Sequence, residues 1–149
     1  DSKQVSAKKR EELYDEIKEK AVSVGIGMSS PARIDEINIL QATYEAMQHA
    51  VEDLDVVPDL LLNDAVTIPL IPIRQVGIIK GDARSLSIAA ASIMAKVTRD
   101  RMMVEYAELY PEYGFEKNKG YGSAEHREAL KKYGPCPIHR STFIHNWIS

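Results

Sequence analysis

Two aspartates stand at positions suited to ligand chemistry. Asp64 closes the run Asp59-Leu60-Leu61-Leu62-Asn63-Asp64, and Asp82 sits in the Lys80-Gly81-Asp82 break after the β-prone run Val76 to Ile79. Both apolar runs are too short for a helix and read as strands. Each acid is therefore at a strand end, the rim where open α/β sheets place their ligands. A single strand-end Asp is more often a turn former, or an acid that favours the positive end of a helix. Two such acids brought to one rim by neighbouring strands repel each other. That pairing implies a proton or a cation between them.

A second candidate is Lys117-Asn118-Lys119-Gly120-Tyr121-Gly122, one aromatic between glycines beside two lysines. It reads either as a turn with a partly packed Tyr, or as a ring offered to a nucleotide sugar with lysines toward phosphates. Other combinations carry less. Asp35-Glu36 falls at a helix start with no glycine turn after it, which is a helix-dipole pattern rather than a catalytic pair. His139 and His145 stand alone, without a Cys pair to make a zinc site. An Asp at a strand end with a later Lys would suit a phospho-acceptor module, but no acidic pair ends the first strand.

The elements that position these residues follow from periodicity. Ser6 caps a helix whose apolar stripe is Leu13, Ile17 and Ala21, and Val22 to Met28 reads as a strand. Ser29-Ser30-Pro31 starts a helical region that continues to about Leu54, with Leu40, Tyr44, Met47 and Val51 at helical spacing. Ala65 to Pro72, broken by prolines, is a loop crossing to the next strand. Ser85 caps a long helix that is apolar all round from Leu86 to Val97 and amphipathic beyond Thr98, so its first half is expected to be buried. Tyr110 to Phe115 is an aromatic loop. Ser123 caps a final helix, ended by Gly134-Pro135. The fold expected is α/β with helices packed against a sheet.

The 149 residues, 44% hydrophobic, suit one domain with a sizeable core. The single Cys136 excludes an internal disulfide and fits a reducing, cytoplasmic setting. No apolar run reaches the length of a membrane span. A formal net charge of −3 argues mildly against a nucleic-acid binder, although clustered carboxylates offset basic residues elsewhere, and Arg99, Arg101, Lys131, Lys132 and Arg140 gather locally.

Taken together, the ordered motifs DSK, IDEINI, LLLND, IIKGD, SIAAASIMAKVTRDR, YGFEKNKGYGSAEH and GPCPIHRSTF resemble bacterial ribonuclease HII, the type 2 ribonuclease H, from Asp1 to about Phe143. The resemblance implies a ribonuclease H-like mixed sheet flanked by helices, in one domain over residues 1–149 with a helical part from about residue 103. It implies an endonuclease that hydrolyses the RNA strand of RNA–DNA hybrids and cuts 5′ to ribonucleotides embedded in duplex DNA, in replication and repair. Its cofactors would be two Mg²⁺ or Mn²⁺ ions, hard cations suited to carboxylates. By position Asp64 and Asp82 resemble the third and fourth catalytic, metal-binding carboxylates. Lys3, Lys80, Lys119, Tyr121 and Gly122 fall on nucleic-acid-binding positions, with Tyr121 like the tyrosine that packs on the sugar after the RNA–DNA junction. The protein is expected to be a monomer.

One part of the family pattern has no counterpart here. The strands carrying an Asp-Glu pair and a Gly-Arg-Gly turn are absent, and in the family's sheet they lie between the Val22 and Leu60 strands. The expectations are thus an N-terminally truncated domain that is inactive alone or, alternatively, a non-catalytic remnant that binds hybrids.

Overall fold

A computed structural model describes residues 5–144. Its elements in chain order are α1 (Ala7–Lys20), α2 (Pro31–Ile37), α3 (Ile39–Glu52), β1 (Leu60–Asp64), β2 (Arg74–Ile78), α4 (Gly81–Arg84), α5 (Leu86–Leu109), a 3₁₀ turn (Pro111–Tyr113), α6 (Phe115–Asn118), α7 (Ala124–Tyr133) and α8 (Ser141–Ile144). The described chain separates into two compact units, residues 5–28 with 43–97, and residues 29–42 with 98–144. Among the described residues no helix is long and apolar enough to cross a membrane.

Helix starts follow the sequence closely. The hydroxyls of Ser6, Ser30, Ser85 and Ser123 accept from the amides of Lys9, Arg33, Ile88 and His126, each taking up a donor the first turn cannot satisfy. The helical region expected from Pro31 to Leu54 is broken at Asn38. This residue takes a left-handed φ of 75° and caps the next helix, its Oδ1 accepting from Gln41 at 3.0 Å.

The first unit is built on β1 and β2, which pair in parallel with Asp64 opposite Ile78. Between them the expected loop is tied down by Gln48, which donates to the Pro69 carbonyl at 2.7 Å, and by Gln75. Gln75 accepts from the Ile68 amide at 2.7 Å and donates to the Ile68 carbonyl at 2.9 Å. The strand expected over Val22 to Met28 is absent. That stretch is extended but lies against α3, with the Ile26 amide on Asp53 at 2.9 Å and the Asp55 amide on the Ser23 hydroxyl at 2.9 Å. A Cβ on Gly25 or Gly27 would run into the carbonyls of Ala50 and Ala46. Alternating apolar residues specify an extended chain, whereas a strand also needs a partner edge, and here the neighbour is a helix. The buried first half of α5 is likewise only half right: Ile88, Ile93, Met94 and Val97 are buried, while Leu86 is 88% exposed.

The second unit has a continuous core of Met103, Tyr113, Phe115, Ala129, Leu130 and Ile144. The expected aromatic loop supplies its centre, since the Tyr113 and Phe115 rings stack at 5.3 Å. Burying a ring of this size stabilises the fold by about 1.5–3 kcal/mol. The Tyr113 hydroxyl donates to the Gly134 carbonyl at 2.5 Å, tying the 3₁₀ turn to the end of α7, and burial pushes the phenol above its usual range.

Candidate active site

At the rim of the first unit, β1 ends in Asp64 and β2 ends one residue before Ile79-Lys80. Lys80 turns the chain with φ 54° and ψ 44°, a left-handed conformation, and Gly81 then opens α4. The Gly81 amide donates to Asp64 Oδ1 at 2.9 Å. An added Cβ at Gly81 would lie 3.3 Å from the Asp64 Cα and 2.6 Å from Ile88 Cδ1, so a side chain here would crowd the turn where it closes on the strand end. Asp82, half-buried in the first turn of α4, follows directly. Asp64, at the end of β1, is thus joined through a single amide to the turn that follows β2 and leads into Asp82. Asp64 and Lys80 are exposed to solvent. Among the described residues no group of three or more His, Cys, Asp or Glu could hold a metal ion.

In the second unit the Lys117 to Gly122 stretch is far more constrained than its composition implies. Asn118 donates to the Tyr113 carbonyl at 2.6 Å and accepts from the Gly120 amide at 2.7 Å, while the Tyr121 amide donates back to the Asn118 carbonyl at 2.9 Å. Lys119 and Gly120 take successive left-handed conformations, φ 53° and 87°. The Lys119 carbonyl is turned toward α5, where Arg99 Nη1 donates to it at 2.7 Å. The same guanidinium lies 5.4 Å from the Tyr121 ring centroid, a cation–π contact. Tyr121 itself is 63% exposed. Lys119 and Gly122 are partly exposed beside it. The result is an aromatic face held from behind and open in front.

What holds it from behind escaped the sequence reading. His126, fully buried on α7, has Nδ1 at 2.7 Å from the Tyr121 carbonyl and Nε2 at 2.8 Å from His139 Nε2. His139 Nδ1 in turn accepts from the Cys136 amide at 2.9 Å. A backbone amide can only donate, so His139 carries its proton on Nε2, which sets His126 as the Nδ1–H tautomer and directs that proton to Tyr121. Both rings are neutral in this chain of bonds. Burial, with the neighbouring His126 second, lowers His139 to about 4. His139 is therefore paired rather than alone. Its partner could have been found from His126 lying at i, i+3 and i+4 with Ala129 and Leu130 on the buried face of α7, but nothing local to His139 signals the pairing.

Asp35, set aside from sequence as a catalytic acid, has a structural use. It accepts from the amides of Ser141 at 2.9 Å and Thr142 at 3.1 Å and from the Thr142 hydroxyl at 2.8 Å, fastening α2 to the start of α8. These bonds, the Thr142 hydroxyl first, hold its carboxyl below the usual range. Lys3 and His145 lie outside the described residues.

Comparison with known proteins bears on both regions. The family model described as ribonuclease HII matches residues 1–146. The chain belongs to the ribonuclease HII family. A ribonuclease HII from Lachnoclostridium phytofermentans is 71% identical over 149 residues, all of this chain and 59% of the relative. That of Bacillus subtilis is 59% identical over 143 residues, covering 96% of this chain and 56% of the relative. The chain thus spans somewhat over half the length of these family members. Among solved structures, the ribonuclease H2 of Pyrococcus horikoshii superposes with a TM-score of 0.70 at 28% identity, over 95% of this chain and 75% of that one. The fold is accordingly ribonuclease H-like α/β, of which these residues contribute two parallel strands and the surrounding helices.

Proposed function

We propose that this chain forms the greater part of a ribonuclease HII that hydrolyses the RNA strand of RNA–DNA hybrids and cuts 5′ to single ribonucleotides in duplex DNA. The observation that carries this reading is the hydrogen bond that joins Asp64, at the end of β1, to the turn after the neighbouring parallel strand that carries Asp82, within a chain that matches the family along nearly its whole length. Residues 1–149 belong in this reading to one domain, with a helical part from about residue 103, acting as a cytoplasmic monomer.

Asp64 and Asp82 supply hard carboxylate oxygens and no thiolate, a donor chemistry that fits Mg²⁺ or Mn²⁺. As a pair they are too few for a complete site, and further oxygen ligands are required. Two such ions, when bound, offset the charge of the scissile phosphate and of the attacking and leaving oxygens. The role of the chain itself is positional. The Gly81 amide fixes one oxygen of Asp64, a residue exposed at the rim. Tyr121 offers a ring to the sugar, and Lys80, Lys119 and Lys3 meet backbone phosphates, with Gly122 allowing close approach.

That only two carboxylates stand at this rim among the described residues favours a second reading, a hybrid-binding chain without catalysis. Both readings are separated by one chimera, in which this chain replaces the matching segment of the Lachnoclostridium phytofermentans enzyme. The chimera should cleave a hybrid with Mg²⁺ or Mn²⁺, and the 149-residue polypeptide alone should not. A folded chimera that binds hybrid and leaves it intact would establish the binding-only reading instead.

A further inference from the structure

The Gln75 side-chain amide makes three hydrogen bonds, and its partners bracket Asp64 in the chain. Its Oε1 accepts from Asn63 Nδ2 at 2.9 Å and from the Ile68 amide at 2.7 Å, while its Nε2 donates to the Ile68 carbonyl at 2.9 Å. A peptide N–H only donates and a peptide carbonyl only accepts, so Ile68 fixes which end of the Gln75 amide is oxygen. Both lone pairs of that oxygen are used. Asn63 immediately precedes Asp64, and Ile68, which is buried, follows it in the crossing loop.

The backbone between these two anchors is itself constrained. Ala65 takes a left-handed φ of 64°, uncommon for a residue with a Cβ, and its amide donates to the Ile78 carbonyl at 3.0 Å. Residues two apart on a strand share a face, so Gln75 and Gly77 present one face of β2 to the loop. A Cβ on Gly77 would lie 3.1 Å from the Val66 carbonyl oxygen, which shows how closely the loop rests on β2. Gly77 is also the partner of Asn63 across the ladder. With no side chain there, the Asn63 amide runs along the face to Gln75. β2 thus holds the end of β1 twice, through Asn63 before the acid and through Ile68 after it. The same strand leads into Gly81, whose amide donates to Asp64 Oδ1, and then into Asp82. Oxygens that are to share a cation must be held in place by the groups behind them.

We propose that Gln75 is a positioning residue for the rim. Its amide sets where Asp64 stands relative to the turn carrying Asp82, and thereby sets the affinity of the rim for a divalent cation. The cation rests on the function proposed above; the placing of Asp64 does not.

Two measurements on the chimera test this. The first follows hydrogen exchange of the Gly81 amide by NMR in EDTA. Gln75→Met matches the side chain in length and removes all three bonds, and it should speed Gly81 exchange about 10-fold. Asn63→Ala removes one bond and should speed it about 3-fold. Gln48→Met cuts the bond from α3 to the Pro69 carbonyl of the same loop and should leave Gly81 exchange within about 2-fold. Unchanged exchange in folded Gln75→Met, or in Asn63→Ala should Gln75→Met not fold, would overturn the proposal. So would an equal increase in Gln48→Met, because the general stability of the loop would then be the cause. The second measurement is the Mg²⁺ concentration for half-maximal cleavage of a hybrid. It should rise about 10-fold in Gln75→Met, while hybrid affinity in EDTA stays within about 2-fold. A Mg²⁺ requirement that does not move in a variant with faster Gly81 exchange would also overturn the proposal. If the exchange pattern appears and the unsubstituted chimera never cleaves, the placing of Asp64 by Gln75 stands and only the nuclease reading is contradicted.

Discussion

The rim of the first unit and the Tyr121 cradle of the second are built in opposite ways. The rim is sparse: two short, largely exposed strands, one amide bond onto Asp64, and acids that need further oxygen donors before they can hold an ion. The cradle is locally complete. Asn118, Arg99, His126 and His139 all bond the backbone of one loop or each other, over a core that includes Phe115 and Leu130. On the proposed function, the contrast follows from what each would have to do. A sugar-stacking ring must be stiff before the substrate arrives, since ordering it on binding would cost affinity. A carboxylate site must remain open to solvent until a cation and a phosphate neutralise it.

That contrast can be broken by substitutions that should affect one region and spare the other. The largest effect is expected at the rim. In the chimera, Asp64→Asn or Asp82→Asn should lower Mg²⁺-dependent cleavage by at least ~100-fold, about 2.7 kcal/mol in the barrier. The melting temperature should hardly move, because the amide oxygen of an asparagine at the end of β1 can still accept from Gly81. Undiminished cleavage by either variant would remove that residue from the site.

In the cradle the leading effect should be on stability. His126→Ala strips the Tyr121 carbonyl and the His139 Nε2–H of their buried partner and leaves a cavity, costing about 2–4 kcal/mol in a denaturant titration. Hybrid binding should weaken in parallel. A change within ~0.5 kcal/mol would mean that the pair of rings is not what holds the loop.

Tyr121 distinguishes stacking from packing. Tyr121→Ala should slow cutting at a single embedded ribonucleotide by roughly 5- to 100-fold, on the scale of aromatic stacking, and slow it less on long hybrids, where other registers compensate. Tyr121→Phe retains the ring and should be mild. Equal, small losses on both substrates would reduce Tyr121 to a turn residue.

The smallest effect is on the pH dependence of stability. His139 has a folded value of about 4 against an ordinary 6.5, so the unfolded chain binds more protons between those values. Stability contributed by the neutral pair is therefore full above about pH 6.5 and falls as the pH drops toward 4. His139→Gln should flatten that part of the profile in a melting series.

The sequence made some of these features legible and hid others for physical reasons. Caps are local, so Ser6, Ser85 and Ser123 could be read directly, and so could the helix start at Pro31, the strand ending in Asp64 and the turn carrying Asp82. The extended stretch from Val22 to Met28 misled because alternation reports backbone extension, not its partner. The Gly25 and Gly27 pair, on one face of that stretch, was the available sign of a close backbone neighbour. The bond between His126 and His139 joins α7 to the loop before α8, 13 residues along the chain, and no local pattern marks it. Such contacts emerge only once the chain is folded. The stiffness of the Tyr121 loop likewise depends on Arg99, 20 residues away from its bonded partner Lys119.

The most direct measurement of the central claim is the position of the cut. A DNA duplex with one embedded ribonucleotide, labelled at its 5′ end and incubated with the chimera and Mg²⁺, should give one product, cut on the 5′ side of the ribonucleotide. That product should disappear in Asp64→Asn and in Asp82→Asn. Cleavage elsewhere, or a 5′ cut that persists in both variants, would contradict the account.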